Sequence, residues 1–300
     1  MTDQKYYYRA FNLRIVSDFV LFGISEDEND VSLGCDVEIL HGNILPEGKR
    51  DSLITPVKIT YLFQTEDLLR GCVENGNRII IDPYGDVDDS QISQIILISA
   101  FYILLVQRGL VTLHGSSMVI NGKSIVVIGE SGAGKTSFAL SLRKKGYGFL
   151  SDDISAVSVQ DGGCIIVYPG YPVQRLHSGT ALANGFHLDD LSRVAFDEDK
   201  LAVPVIVDFC NEAKPLSAIV EICVGDCSTV ELEQINGIKK LPILLRHTHN
   251  LHQIKMLKLH EAHFHACVEI MKTIPIYRII RPSLGQTTNE QIDLLMGKMI

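Results

Sequence analysis

"GESGAGKTS", residues 129 to 137, is the stretch of sequence that decides the fold. It fits the pattern G-x-x-x-x-G-K-[ST], in which backbone N–H groups turn inward around phosphate oxygens and a side chain at either glycine would block their path. Lys135 would reach the β- and γ-phosphates of a nucleotide, and the Thr136 hydroxyl would bind Mg²⁺. The nucleotide-binding candidates are therefore Gly129, Glu130, Ser131, Gly132, Ala133, Gly134, Lys135, Thr136 and Ser137.

The residues on either side of this loop favour phosphate binding over a chance glycine-rich turn. Residues 125–128 are β-branched and apolar, as expected of a buried central strand. Residues 134–145 favour a helix that closes with basic residues, and Gly146 follows it. A second Gly-Lys-Ser, in "NGKS" at 121–124, lacks the required earlier glycine, and its Asn-Gly pair predicts a β-hairpin. The sequence therefore predicts a nucleotide and Mg²⁺ as cofactors, with ATP as the default choice and GTP left open.

The composition argues against several classes of protein. The 300 residues have a formal net charge of -9 and a pI near 5.6, so a phosphate-rich polymer would be repelled and nucleic acid is not expected as a partner. The sequence carries no NKxD-type guanine reader, which argues against a GTPase switch. It also lacks the apolar run ending in Asp-Glu that a motor ATPase would show.

Targeting signals and cysteine usage indicate a cytoplasmic protein without membrane contact. The N-terminus, MTDQKYYYRA, has no basic segment followed by an apolar one, so no secretory signal is predicted. The strongest apolar run, residues 95–106, is too short to span a bilayer and suits a buried helix. The seven cysteines include no CxxC pair and are expected to be reduced thiols.

The chain is expected to contain two parts of an α/β fold with α+β character. Residues 1–90 indicate a β-rich N-terminal region with a role in substrate recognition, and residues 91–300 a catalytic domain. Within the first part we expect a solvated acidic loop at 26–30 and a turn at 47–48. In the second part, the Asn-Gly hairpin and another at Asp161-Gly162 predict antiparallel strands mixed into the sheet.

An aspartate pair and a histidine are the catalytic candidates. Asp152 and Asp153 follow Lys135 by 17 and 18 residues, directly after the predicted strand "YGFLS". There, one carboxylate can accept a proton from an attacking hydroxyl while the other helps to hold Mg²⁺. His114 precedes Lys135 by 21 residues. Taken singly, the aspartates would be a solvated turn and His114 a core histidine; the combination with the loop makes them candidates.

Two arginines are weaker candidates. Arg175, in "YPVQRL", could neutralise charge on a transferring phosphoryl group, and a surface arginine packed over Tyr171 is an equal alternative. Arg246 is a lower-ranked candidate with the same alternative.

Six histidines crowd into residues 247–265, where a helix is predicted over 252–272. "HEAH" at 260–263 is one residue short of the HExxH zinc pattern, so a half-exposed, histidine-rich helix is favoured over a structural metal site.

The stretch "LHGSSMVINGKSIVVIGESGAGKTSFALSLRKKGYGFLSDDISAV" resembles the catalytic core of the HPr kinase/phosphorylase family, which has a His-Gly, a Walker A loop and an Asp-Asp at this spacing. The resemblance covers about residues 111–160 and weakens through "YPGYPVQRL" and "FHACVEIMKTIPIYRI". With "YYYRAFNLRIVSD" at the start, the longer pattern is most similar to the shorter HPr kinase-like proteins of peptide-tailoring gene clusters. Those include kinases that phosphorylate the C-terminal serine of lasso-peptide precursors.

The resemblance implies a role for each candidate. Asp152 would be the general base toward a serine hydroxyl, and His114 would assist or orient the transfer. Asp153 would support the metal together with Thr136, and Lys135 would hold phosphate. The implied fold is the HPr kinase/phosphoenolpyruvate carboxykinase type of P-loop domain with a mixed sheet.

The sequence also departs from that family. Thr136-Ser137 stands where HPr kinases have Ser-Glu, which removes an acidic group near the metal. The later glycine-rich signature and the "RPGRN"-like loop have no counterpart, which argues against HPr as substrate and against a phosphorylase activity.

The expected function is ATP- and Mg²⁺-dependent transfer of phosphate to a serine of a peptide or protein, with the C-terminal serine of a lasso-peptide precursor as first choice. A small-molecule hydroxyl kinase and a nucleotide-binding regulator with slow ATP hydrolysis stay open. So does assembly into a homo-oligomer.

Overall fold

The computed structural model describes residues 4–24, 26, 34–44, 53–54, 59–65, 68–194 and 197–299. The predicted acidic loop, apart from its first residue, and the predicted turn at 47–48 lie outside the described residues.

The described strands form three sheets. In chain order they are β1 Tyr6–Ala10, β2 Leu13–Ser17, β3 Val37–His41, β4 Leu53–Ile54, β5 Ile59–Thr65, β6 Leu69–Glu74, β7 Arg78–Pro83, β8 Val111–Ile120, β9 Lys123–Gly129, β10 Gly148–Ser151, β11 Ile154–Val159, β12 Ile165–Tyr168, β13 Val173–His177, β14 Ser192–Val194, β15 Asp197–Pro204, β16 Lys214–Gly225, β17 Glu231–Ile235 and β18 Ile276–Pro282. β1 to β7 make an N-terminal sheet in the order β1-β2-β3-β7-β6-β5-β4.

The described residues contain eight α-helices. They are α1 Asp89–Ile95, α2 Phe101–Gln107, α3 Lys135–Lys144, α4 Ser178–Ala183, α5 Lys240–Arg246, α6 Leu251–Met256, α7 His260–Thr273 and α8 Thr288–Met299. A π-helical turn, Ile96–Ala100, joins α1 and α2. The single helix predicted over 252–272 is wrong, because the chain leaves the helical conformation between α6 and α7, where Lys258 has a φ of 56°.

The continuous helix Asp89–Gln107 packs against the N-terminal sheet. Phe101 and Tyr102 are almost fully buried in a core that also contains Ile39 and Ile81 of that sheet. Among the described residues this is the one helix long and apolar enough to cross a membrane, and its most apolar window is 67% buried inside the protein. Its packing accounts for its apolar composition, and the prediction of a buried helix over 95–106 is confirmed.

The central sheet is mixed, as predicted. Its order is β10-β8-β11-β12-β16-β18-β17, and β9 pairs with both β8 and β16. β9, β16 and β18 run parallel, whereas β8 pairs antiparallel with β9, β10 and β11. Both predicted hairpins are present, between β8 and β9 and between β11 and β12.

β9 is buried on both faces, which explains its unbroken apolar sequence. Ile125 and Val127 pack toward α3 and α8, while Val126 and Ile128 pack toward α5 and α7. Because successive side chains of a strand point to opposite faces, a strand between two helical layers needs an apolar residue at every position.

The third sheet, in the order β13-β15-β14, was not predicted. It packs beside α3, since Leu140 of that helix shares a core with Leu176 of β13 and Leu201 of β15.

Candidate active site

The glycine-rich loop spans the five residues between the end of β9 at Gly129 and the start of α3 at Lys135. Gly129, Gly132 and Gly134 have φ values of 153°, 77° and 109°, which favour glycine. A Cβ on Gly129 would lie 2.4 Å from the carbonyl oxygen of Ile222 on β16, so the neighbouring strand excludes a side chain there. The tight strand-to-helix turn that the sequence spacing predicts is therefore present.

The Lys135 side chain folds back over this loop. Its ammonium group donates hydrogen bonds to the carbonyl oxygens of Gly129, at 2.7 Å, and Glu130, at 3.1 Å. Burial lowers the pKa of Lys135, while the nearby carboxylates of Asp152 and Asp153 act in the opposite direction. The loop thus holds a positive charge at its centre, against the aspartate pair.

Arg281, which is not part of the glycine-rich loop, forms hydrogen bonds with that loop. It lies near the end of β18, and its guanidinium donates to the carbonyl oxygens of Ala133, at 2.8 Å, and Gly132, at 3.1 Å. These bonds turn two loop carbonyls toward the arginine. Nothing in the sequence pattern singled out this residue, since it lies 148 positions from Ala133 along the chain.

The aspartate pair lies where β10 passes into β11, and both strands pair with β8. The N–H of Ile154 donates to the carbonyl oxygen of Asp152 at 2.8 Å, and Asp153 between them has a φ of 69°. A three-residue turn with a positive φ at a residue other than glycine is rare and strained, and such conformations concentrate at functional sites.

Asp152 is a partly buried carboxylate whose two oxygens both accept hydrogen bonds. Oδ1 accepts a hydrogen bond from the Ser116 hydroxyl at 2.5 Å, and Oδ2 accepts one from the backbone N–H of Arg175 at 2.8 Å. Burial raises the pKa of Asp152, although these two hydrogen bonds act in the opposite direction. Its carboxylate is therefore more basic than an exposed aspartate.

Asp153 has the opposite electrostatic environment. Its Oδ2 accepts a hydrogen bond from the Arg175 guanidinium at 2.5 Å, and its Oδ1 lies 3.4 Å from Nδ1 of His114. Burial acts to raise the pKa of Asp153, but the charge of Arg175, with smaller contributions from neighbouring cations, outweighs it and lowers the pKa. Asp153 is thus held ionised beside a more basic Asp152.

Arg175 differs from the surface arginine that was the alternative expectation. Its side chain is only 13% exposed, and besides the ion pair with Asp153 it donates to the Tyr171 hydroxyl at 2.8 Å. The Tyr171 ring in turn packs edge-on against Phe11 of the N-terminal region, with centroids 6.3 Å apart. Arg175 therefore connects the aspartate pair to the core between the sheets.

His114 lies where β8 separates from β9. Its Nδ1 is buried and makes no hydrogen bond, while part of the ring faces solvent. The ring stacks on His249 at 5.7 Å, and His249 packs against Tyr102 at 4.6 Å. Burial lowers the pKa of His114 below its ordinary value and that of His249 to about 4.

The close approach of β9 to β8 explains why a glycine, Gly115, follows this histidine. A Cβ there would lie 2.1 Å from the carbonyl oxygen of Val127.

These elements enclose one cleft with a volume of about 220 Å³. Its lining residues are His114, Gly115, Ser116, Ser131, Gly132, Gly134, Lys135, Thr136, Ser137, Asp152, Asp153, Arg175, His177, Thr180 and Lys200. Of the nine loop candidates, Gly129 ends β9, Glu130 is exposed and Ala133 is buried beneath the loop. All four predicted catalytic candidates line the cleft together with the loop.

The sequence did not indicate Ser116, His177, Thr180 or Lys200. The last three belong to α4 and the three-stranded sheet, whose existence was itself not predicted.

Arg246 lies elsewhere. It donates to the buried Glu221 carboxylate at 2.6 Å, as part of a separate cluster with His247 and Arg278.

The histidine-rich segment is divided among several surroundings instead of forming one half-exposed helix. His247 bonds Glu221, His249 stacks on His114, and His263 contacts the Thr248 hydroxyl at 3.0 Å. No group of three or more His, Cys, Asp or Glu side chains suited to a metal occurs in the part of the chain that the structure describes.

Comparison with known proteins finds sequence similarity to HPr kinase/phosphorylases. The chain is 36% identical over 69 residues to the HPr kinase/phosphorylase of Mycoplasmopsis pulmonis (strain UAB CTIP), a match that covers 23% of this chain and 22% of that protein. It is 39% identical over 59 residues to the HPr kinase/phosphorylase of Azoarcus sp. (strain BH72), which covers 18% and 19% respectively. The matches thus span about a fifth of the length of these curated relatives.

A solved structure of the Hpr(Ser) kinase/phosphatase from Coxiella burnetii aligns over 63% of this chain and 96% of that chain, with a TM-score of 0.32 and 14% identity. No family model matches the chain. The chain is therefore similar to HPr kinase/phosphorylases over a short segment.

Proposed function

We propose that this protein is an ATP- and Mg²⁺-dependent kinase that transfers the γ-phosphoryl group to a serine hydroxyl of a peptide or protein. The observation that carries the proposal is the meeting of Lys135 and Asp152 in one cleft, with the Asp152 carboxylate fixed by Ser116 and the Arg175 N–H. The sequence similarity to two HPr kinase/phosphorylases supports phosphoryl transfer as the reaction class.

The split between the two aspartates supports a division of roles. A pair of acids whose environments push their pKa values apart is typical of sites that need one base and one permanent charge. Asp152, with its raised pKa, would accept the proton of the attacking serine hydroxyl. Asp153, which stays ionised, would support the metal. His114, whose buried Nδ1 makes no hydrogen bond, would orient the reacting groups.

The residues present fit a magnesium nucleotide. The backbone at Gly129 excludes a side chain, the loop lies at the start of α3, and Lys135 and Thr136 line the same cleft. Mg²⁺ is commonly held by one or two protein oxygens together with substrate phosphates, which suits Thr136 and Asp153 without further protein ligands. When bound, Mg²⁺·ATP would supply the phosphoryl group and neutralise its charge; Lys135 would exchange its bonds to loop carbonyls for phosphate oxygens.

The acceptor is the less constrained part of the proposal. We choose the C-terminal serine of a lasso-peptide precursor on the strength of the sequence resemblance, and assign peptide recognition to residues 1–90. A cytoplasmic location belongs to the same proposal, and the seven cysteines, all free thiols in the structure, support it. The proposal also includes assembly of the protein into a homo-oligomer.

Intact-mass spectrometry tests the proposal directly. The protein is incubated with Mg²⁺, ATP and either HPr or serine-ended precursor peptides, with Lys135→Ala as the inactive control. We expect a gain of about 80 Da per phosphate on the peptide's last residue and none with the control. Phosphate on HPr instead would overturn the choice of acceptor. No transfer to either, with ATP still bound, would favour a small-molecule kinase or a regulator.

A further inference from the structure

The three-stranded sheet contributes basic side chains to the cleft that the steps above do not use. His177 ends β13, and Lys200 lies directly opposite it on β15 in the antiparallel register. Directly opposed residues of an antiparallel pair have Cβ atoms about 5 Å apart on the same face. Both side chains line the cleft that contains Asp152 and the loop.

β13 borders the position where the acceptor hydroxyl must lie. The Asp152 carboxylate, proposed as the base, accepts a hydrogen bond from the backbone N–H of Arg175 on that strand. His177 is two residues further along, and alternate residues of a strand share a face about 7 Å apart. The His177–Lys200 pair therefore lies about 7 Å along β13 from the residue that bonds the proposed base, on an element separate from the phosphate-binding loop.

The cations of the cleft other than His177 and Lys200 are assigned to groups other than the acceptor. Lys135 and the loop N–H groups serve the nucleotide phosphates, and Arg175 is paired with Asp153 and Tyr171. The His177 ring is oriented by Asp199, which lies 3.1 Å from Nδ1 and accepts a hydrogen bond from Ser178 at 2.6 Å. As an imidazolium, His177 would donate from Nδ1 to Asp199 and from Nε2 to an anionic ligand.

The positive charge of Lys200 influences the ionisable groups of the cleft. Burial is the largest influence on the pKa values of His114, Lys135 and Asp153, and the positive charge of Lys200 lowers all three.

We infer that His177 and Lys200 form a subsite for an anionic oxygen group of the acceptor, next to its hydroxyl. A carboxylate beside a serine hydroxyl fits this description in two forms: the α-carboxylate of a C-terminal serine, or the side chain of a neighbouring Asp or Glu. The subsite offsets the repulsion that Asp152 and Asp153 would exert on such a group. This inference rests on the proposed function and specifies its substrate class.

The test uses one short serine-ended peptide as the free acid and as the C-terminal amide, with a third peptide carrying an internal serine next to Asp. For each, kcat/KM is measured with wild type, Lys200→Met, His177→Gln and the matched control Lys123→Met, whose lysine is exposed in the β8–β9 hairpin. We expect wild type and control to prefer the acid over the amide by at least about tenfold. Lys200→Met should bring that ratio close to 1 with the KM for ATP unchanged, and His177→Gln should lower it partway.

The outcomes separate this inference from the proposed function. Equal use of acid and amide by wild type, with no preference for the internal Asp peptide, would overturn the subsite while leaving the kinase intact. A higher KM for ATP in Lys200→Met, with the acid preference retained, would make Lys200 a nucleotide residue and also overturn it. Preference for the internal Asp peptide supports the subsite with a side-chain carboxylate as its source.

If no peptide is phosphorylated although ATP binds, the proposed function fails for peptides. Fluorescence anisotropy of the labelled acid and amide peptides, with a non-hydrolysable ATP analogue present, then decides the subsite alone. Tighter binding of the acid that Lys200→Met removes supports it, and equal binding of acid and amide overturns it.

Discussion

Two buried clusters of charge in this protein have similar composition and different hydrogen bonding. Glu221 on β16 is 1% exposed and accepts from Arg246 at 2.6 Å, His247 at 3.0 Å and Arg278 at 2.7 Å. Every charge there faces an opposite charge, and although burial acts to raise the pKa of Glu221, these partners lower it to about 2.

The aspartate pair is not saturated in that way. Of the two carboxylates, the Arg175 guanidinium bonds that of Asp153 alone, Asp152 accepts hydrogen bonds only from neutral donors among the described residues, a buried histidine nitrogen makes no hydrogen bond, and Asp153 has a strained backbone. In the first cluster each buried charged group has a hydrogen-bond partner, as in a structural ion network. The second cluster places ionised side chains and a strained backbone residue at the wall of a cleft, as functional sites do. Sequence alone gave both arginines the same alternative of a surface position and ranked Arg246 below Arg175. We expect substitutions in the two clusters to separate activity from stability.

The largest expected effect is on activity, from Asp152→Asn. Removing a general base costs about 100- to 10,000-fold in rate, and the amide retains the shape of the carboxylate. Radiolabelled phosphate transfer should fall by that factor, while calorimetric ATP affinity changes little.

Glu221→Gln is the matched control for this change, because it neutralises the carboxylate of the other cluster. Its folded fraction should transfer phosphate at close to the wild-type rate. An unchanged rate of phosphate transfer by Asp152→Asn would contradict the assignment of Asp152 as the general base.

The next effect is on stability, from Glu221→Ala. Removing one partner of a buried ion cluster leaves the others uncompensated and costs about 3–5 kcal/mol of unfolding free energy. Urea denaturation should show this loss. Glu233→Ala is the control, since Glu233 bonds the same Arg278 at 3.0 Å from a half-exposed position; it should cost no more than about 1 kcal/mol. Equal losses in both variants would mean that Glu221 is not the centre of the cluster.

The pH dependence of stability gives a third, smaller contrast. The pKa of Glu221 falls from an ordinary 4.5 to about 2 in the folded protein. A lowered carboxylate pKa adds stability that is complete above the unfolded value and is lost as the pH falls toward the folded value. The contribution is about 3 kcal/mol, lost between roughly pH 4.5 and pH 2.

The unfolding free energy of wild type minus that of Glu221→Gln, measured by urea titration at several pH values, should shrink across this window. Other carboxylates titrate alike in both proteins and cancel from the difference. A difference that stays constant with pH would contradict the ion-cluster account.

The sequence predicted the parts of this site whose spacing is local. The loop, the strand before it and the helix after it follow from residues 125–145, and the hairpins follow from Asn-Gly and Asp-Gly pairs. The aspartates and His114 could be placed near the loop because they flank it within about twenty residues in "LHGSS" and "FLSDD".

What the sequence could not give depends on pairing between distant segments. The strand β15 begins "DEDK", which has no apolar alternation, so the strand was not predicted. The pairing register that places Lys200 opposite His177 therefore could not be predicted either. Arg281 likewise reaches the loop only because β18 runs parallel to β16, which runs parallel to β9.

The smallest predicted effect concerns that arginine and sharpens the comparison, because Arg281 belongs to neither cluster and bonds only backbone carbonyls in the contacts described above. Arg281→Gln should weaken ATP binding by about three- to tenfold, since only part of the roughly 1.5–3 kcal/mol that hydrogen bonds from a charged donor contribute acts on the geometry of the nucleotide site. The loop carbonyls of Gly132 and Ala133 would lose their donor and the loop N–H groups their fixed orientation. Isothermal titration calorimetry with ATP and Mg²⁺ measures the change, and Lys272→Met, at an exposed lysine on α7, is the control. An unchanged affinity would show that the close approach of Gly129 to Ile222 fixes the loop without help from β18.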